Sequence, residues 1–428
     1  MSAARRARLA LAILLTCLGC AVGVGACSSG TSGDDGAGPI TFAAIADFTN
    51  GHQIGKAVDR WNAAHPDQHV RYIELSESAD EQRSQLVATA QGSGECYDVN
   101  SLDVVWTAEF ARGHLVVPLD ERESHRYGIN KDLFVSASWE SGRYRNQQWA
   151  VPFLANVPLL FYRRDLLGPA TKPPASLQEM ISQIGSVNHR RAQAGQEPIG
   201  GFGGQFAHYE GLTVNALEIV RALGGDLAPR PNQAVSQADA VRTALGLLAA
   251  GARPGGWIPQ ADLAYKEQGT WEAFLHGQLL FMRNWPYAYK LLTAPTSPVA
   301  DKVGIEPLPW SGVLGGHNLA VSTCSTHRAT AWSFVSYLAT NLDVQTTMLR
   351  DGGYPPVLQA GYQGRQDDFT KAILAALAHA GTRPVSPYYA AVSGTIQDAV
   401  SSVLNQARRP ADAVDFLAAN LPDALHGG

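Results

Sequence analysis

From Ile40 onward, short apolar runs rich in β-branched or aromatic residues alternate with longer segments whose apolar residues recur every three or four positions. This change of period constrains the fold more than any other feature, because one pattern cannot serve both a strand and a helix. Residues 40–45, 70–75, 102–106, 159–162, 278–284 and 317–322 read as strands. Residues 51–64, 79–91, 176–194, 210–223, 236–250 and 270–276 read as helices, as do 328–341, 367–379, 390–406 and 410–420. In the first of these, Ile54, Val58 and Trp61 share one face, and Pro66 ends the segment. Strand–helix–strand order predicts an α/β fold, with a parallel sheet covered by helices on both faces. About 390 residues belong to this body, more than one ordinary core organises, so two lobes are expected.

An address precedes the body. Arg5, Arg6 and Arg8, with no acid nearby, lead into an apolar run from Leu9 to Val24. The run is short for a permanent span and gives way to small residues, as a secretory signal does. Val24-Gly25-Ala26-Cys27 resembles the bacterial lipobox, in which cleavage precedes a cysteine that carries lipid. The expectation is a signal peptide over 1–26 and lipidation at Cys27. An ordinary signal cut near Ala26 is the alternative. Residues 27–39 are small and polar, too poor in apolar surface to order themselves, and read as a flexible tether. No run of 18 apolar residues follows, so the chain is expected to be anchored to the membrane at its extracytoplasmic face without spanning it.

Several functions are excluded by what the chain lacks. Net charge is −5 and the basic residues are scattered, which leaves no nucleic-acid footprint. There is no Gly-x-Ser-x-Gly, no His-Glu-x-x-His and no cysteine–histidine metal spacing. His65 and His69 are separated by Pro66, and Gly201-Phe202-Gly203-Gly204 lacks the lysine of a phosphate loop. No metal or cofactor is expected. Of the five cysteines, Cys17 and Cys20 leave with the signal, and Cys96 and Cys324 remain as a disulfide or as two buried thiols. Ligands of open α/β sheets bind beyond the carboxyl ends of strands. Asp103, Asn156, Trp285 and the Gly315-Gly316 turn stand at such places.

Six stretches, in order, resemble the sugar-binding lipoproteins of ABC importers, and most closely their trehalose/maltose-binding branch. They are Leu102-Asp103-Val104-Val105-Trp106 through Phe110; Val151-Pro152 through Asn156 to Tyr162-Arg163-Arg164-Asp165-Leu166-Leu167; Tyr209-Glu210-Gly211-Leu212; Met282-Arg283-Asn284-Trp285-Pro286-Tyr287; Gly315-Gly316-His317-Asn318; and Arg383-Pro384-Val385-Ser386-Pro387-Tyr388-Tyr389. The resemblance implies a two-lobed, periplasmic-binding-protein-like fold with three interlobe crossings, near 150–158, 295–312 and 340–352, and a central ligand cleft. The first lobe would hold 40–150 and 312–342, the second 151–311 and 343–428. Both Cys96 and Cys324 then fall in the first lobe. The implied partners are a disaccharide and the permease subunits with their cytoplasmic ATPase, served by a monomer that transforms nothing.

A sugar presents vicinal hydroxyls and apolar C–H faces, which suit carboxylates, a forked guanidinium and aromatic rings. The resemblance assigns ligand contacts to Asp103, Asn156, Glu267, Trp285 and Arg383. Asn50, Glu210 and Gly316 join them, although Asn50 also suits a helix cap and Glu210 a packing role. His317 stands where the family usually has a large apolar residue, which bears on the identity of the sugar. The rival is a secreted glycoside hydrolase using Asp103, Glu210 and Glu267 as acid and base. The same fold carrying a glycerophosphodiester or a longer oligosaccharide is the other.

Overall fold

The computed structural model describes residues 36–92, 94–227, 235 and 237–427. The signal segment, Cys27 and the tether through residue 35 lie outside the described residues. The end of the tether is docked: Gly38 is buried and its N–H donates to Thr330 Oγ1 at 3.1 Å.

The strands are β1 (Ile40–Ala44), β2 (Val70–Glu74), β3 (Val99–Asp103), β4 (Arg143–Tyr144), β5 (Gln147–Gln148), β6 (Val151–Leu154), β7 (Leu159–Arg163), β8 (Gly200–Gly203), β9 (Leu279–Asn284), β10 (Val303–Pro307) and β11 (His317–Val321). One sheet has the order β2-β1-β3-β11-β6 and another β10-β7-β9-β8, while β4 and β5 form a small hairpin. β1 has partners on both sides and is buried throughout, which explains its unbroken apolar sequence; β2, at the edge, is buried only in part. The helices at Gln53–Ala64, Ala79–Gln91, Leu177–Gln193, Glu210–Ala222 and Arg328–Thr340 lie where the 3.6-residue period places them. The helix expected at 270–276 begins earlier, at Glu267.

The sheets are mixed, not parallel. β1 runs parallel to β2 and β3, but β11 lies antiparallel between β3 and β6. In the second sheet only β8 and β9 are parallel. The third strand is also shifted: it spans Val99–Asp103, and residues 104–106 turn away. The cause is Asp103, whose Oδ1 accepts the Val105 N–H at 3.2 Å while its carbonyl accepts the Trp106 N–H at 2.9 Å. This local turn ends the ladder after Val104, whose N–H still donates to the Gly316 carbonyl at 3.2 Å.

The chain passes from the first sheet to the second between β6 and β7, and returns between β10 and β11. The two connections meet where the Gly315 N–H donates to the Asn156 carbonyl at 2.9 Å. Residues 343–358 remain with the first sheet. Gln345 Nε2 donates to the Phe153 carbonyl at 3.2 Å, and the Val135 N–H donates to the Val357 carbonyl at 2.8 Å. Cys96, just before β3, is disulfide-bonded to Cys324, just after β11, joining two adjacent strands across 228 positions.

Candidate ligand-binding site

Between the two sheets lies a cavity of about 720 Å³, its open mouth included. Asp103 at the end of β3 and His317 at the start of β11 face each other in register and form one wall. Asn156 and Gly315-Gly316 enter from the two connections; Glu210, Glu267 and Trp285 come from the second-sheet side. Gly316 has φ 115°, and an added Cβ would collide with the Leu154 carbonyl, so only glycine fits this turn.

Arg383 ties the opposite walls together. Its Nη2 lies 2.6 Å from Asp103 Oδ1 and its Nη1 2.8 Å from Glu210 Oε1, with Arg383 and Glu210 buried and Asp103 partly so. Glu210 also accepts from Tyr389 Oη at 2.6 Å and from Ser393 Oγ at 2.5 Å. Burial pushes the Glu210 carboxyl up to about 7, against the pull of Arg383. Burial opposes the charge on Arg383 as well, but Asp103, Tyr389 and Glu210 outweigh it and hold the guanidinium protonated above its usual range. Glu210, with both oxygens engaged, is a positioning residue for Arg383.

Trp285 is pinned from three directions. Its Nε1 donates to Glu267 Oε1 at 3.3 Å, and the Arg283 guanidinium lies 3.9 Å from its ring centroid. Gly315 passes so near that an added Cβ would sit 2.9 Å from the ring. Arg283 is itself fixed by the buried Glu218, at 2.8 and 2.9 Å. Glu267 Oε2 accepts from Tyr209 Oη at 2.7 Å. Indole, carboxylate and phenol thus form one preorganised wall.

Asn50 does not line this cavity. It is exposed, forms none of the cavity wall, and does not cap the following helix. The helix is capped by Thr49 Oγ1, which accepts from the Gln53 N–H at 3.1 Å, and by Asp47 Oδ2, which accepts from the Ile54 N–H at 2.7 Å. Asp47 and Thr49 are both buried, which turns Asn50 outward. The other seven candidates, Asp103, Asn156, Glu210, Glu267, Trp285, Gly316 and Arg383, all line the cavity.

Sequence reasoning missed Phe48, Tyr209, Tyr287 and Tyr354, which also line it. Tyr209 and Tyr287 stood beside Glu210 and Trp285 in the family-like stretches but were given no role there. Five buried polar atoms of the lining have no protein partner: Gln82 Oε1, Asn156 Oδ1, Tyr287 Oη, His317 Nδ1 and Arg383 Nε. Burial lowers the His317 imidazole to about 4, so it is neutral at ordinary pH. Such a set offers donors and acceptors to an uncharged, hydroxyl-rich solute. Among the described residues no group of histidine, cysteine and carboxylate side chains is arranged to hold a metal ion, and no helix is long and apolar enough to cross a membrane.

The family model for bacterial extracellular solute-binding protein matches residues 56–376, well over half of the chain. A probable ABC transporter-binding protein of Deinococcus radiodurans is 25% identical over 412 residues, covering 89% of this chain and 92% of that protein. The maltotriose-binding protein of Pyrococcus abyssi is 25% identical over 353 residues, covering 78% and 70%. Among solved structures, maltose-bound MalE3 of T. maritima superposes with a TM-score of 0.81 at 26% identity, covering 91% of this chain and all of the other.

Proposed function

The chain belongs to the bacterial extracellular solute-binding proteins, and from that premise we propose that it captures a disaccharide such as trehalose or maltose between its lobes. It is the binding component of an ABC sugar importer, which delivers its cargo to permease subunits, and it is not an enzyme. The hydrolase reading is thereby set aside. We place the third interlobe crossing after residue 358, later than the sequence suggested, because 343–358 stay bonded to the first sheet. Hinge motion about the crossings would admit and release the sugar. Lipid on Cys27 would hold the protein at the extracytoplasmic face of the membrane.

The observation that carries the disaccharide reading is the set of five unpartnered polar atoms in the cavity that the Trp285 indole also lines. Unmet buried donors and acceptors cost about 1–3 kcal/mol each. A sugar bound there would satisfy them while its C–H face covers the indole. A phosphodiester is disfavoured, because the one guanidinium in the wall is already matched by two carboxylates. A thermal-shift and calorimetric screen of trehalose, maltose, sucrose and glycerophosphocholine tests this. Trehalose or maltose should raise the melting temperature, and Trp285→Ala should abolish that rise while the unliganded variant stays folded. A shift from glycerophosphocholine alone, or an undiminished sugar shift in the variant, defeats the assignment.

A further inference from the structure

We propose that Glu218, which is not part of the cavity wall, is a positioning residue that keys the Trp285 indole to an interlobe crossing, so that one buried carboxylate governs both the opening of the lobes and the release of the sugar. The inference rests on the sugar-binding reading just given. Glu218 holds two things at once. Its Oε1 accepts the Val313 N–H at 3.1 Å, in the connection from β10 back to β11. Its two oxygens together grip Arg283, whose guanidinium lies over the indole. Gln205 completes the grip: its Oε1 accepts from Arg283 Nη1 at 2.9 Å, and its Nε2 donates to the Arg283 carbonyl at 3.1 Å. The guanidinium is thus bonded through Nε, Nη1 and Nη2, and cannot tilt without breaking a buried hydrogen bond. Stability alone does not call for this pair. The two side chains are 1% and 2% exposed, and a buried ion pair gains little over apolar residues of the same volume. Two parallel charge-assisted bonds do fix direction, which is what a stacking ring needs.

The bonds of the crossing show where it can turn. Val313 is held by Glu218, and the Leu314 N–H donates to the carbonyl of Gly381 at 2.8 Å. Gly381 follows the helix Asp368–His379, which packs on β10, so Val313 and Leu314 stay with the second sheet. Gly316 stays with the first, since its carbonyl accepts the Val104 N–H at 3.2 Å. Rotation of one sheet against the other therefore falls on the dihedrals of Gly315 and Gly316, the latter already at φ 115°. Gly315 is the residue that abuts the Trp285 ring. An indole fixed to Glu218 through Arg283 meets that moving segment directly. Opening draws Gly315 away from a ring that remains with the second sheet.

Stopped-flow dissociation of trehalose and maltose, together with tryptophan emission, tests this on the mature protein. Two variants serve: Glu218→Gln, which keeps the shape, and Glu218→Leu combined with Arg283→Met, which leaves no buried charge. Trp285 emission is read as the difference between each protein and the same protein carrying Trp285→Phe. In both variants the bound sugar should leave at least about tenfold faster. The Trp285 emission of the ligand-free protein should shift, while urea unfolding shows that the variants fold. Dissociation rates and emission equal to the wild type in either folded variant would overturn the inference, since the pair would then only fill space. Failure of both variants to fold would overturn it as well, because the pair would then be a support of the fold. A wild type that binds neither disaccharide defeats the sugar reading, and the ligand-free emission still decides whether Glu218 sets the indole.

Discussion

Replacing Asp262 by asparagine is expected to stabilise the protein at neutral pH by an amount that vanishes in acid. Asp262 is fully buried in a short turn beneath Gly203, and neither carboxylate oxygen has a hydrogen bond of ordinary geometry. Desolvation pushes its carboxyl from 3.8 up to about 8, and the Gly204 amide offsets little of this. Below about pH 4 the side chain is neutral in both the folded and the unfolded chain, and the site costs nothing. As pH rises, the unfolded chain gives up a proton that the folded chain keeps, so stability is lost steadily until the folded carboxyl also ionises near 8. The slope is about 1.4 kcal/mol per pH unit. Between pH 5 and 7 the wild type should therefore lose about 3 kcal/mol relative to Asp262→Asn. Any packing cost of the amide is independent of pH and cancels in that difference. Urea unfolding of both proteins at pH 5, 6 and 7 measures it. A stability difference constant across these three values would refute the argument, since it would mean that Asp262 ionises in the folded protein as it does in water.

Two further expectations concern the scaffold of the site. Gly316→Ala should destabilise the protein by about 1–3 kcal/mol, because it places a side chain at positive φ against the Leu154 carbonyl. It should also weaken sugar binding through the displaced Gly315–Trp285 contact, and equal melting temperatures of variant and wild type would count against this. Cys324→Ser opens a loop closed across 228 positions and should cost about 2–4 kcal/mol. Ligand affinity should be preserved, since the bridge joins β3 to β11 at the end away from Asp103 and His317; denaturation and calorimetry on the same sample separate the two effects.

The sequence by itself determined the local elements and many of the chemical ones. The 3.6-residue period placed the helices because it depends on neighbours within two turns, and β1 and β7 were legible as apolar runs for the same reason. Asp103 and Trp285 were legible as strand-end residues of unusual chemistry. β8 was not, because Gly-Gly-Phe-Gly offers a single apolar side chain to a pattern. Only the tertiary structure decided that β11 inserts antiparallel between β3 and β6, that Asn50 turns outward over a buried Asp47, and that Arg383 bonds Asp103 across 280 positions. Strand order and cross-cleft contacts arise from the packing of whole sheets, whose energy is shared among residues far apart in the chain. No local pattern encodes them, and the unmet polar atoms that mark the cleft exist only once that packing has closed around them.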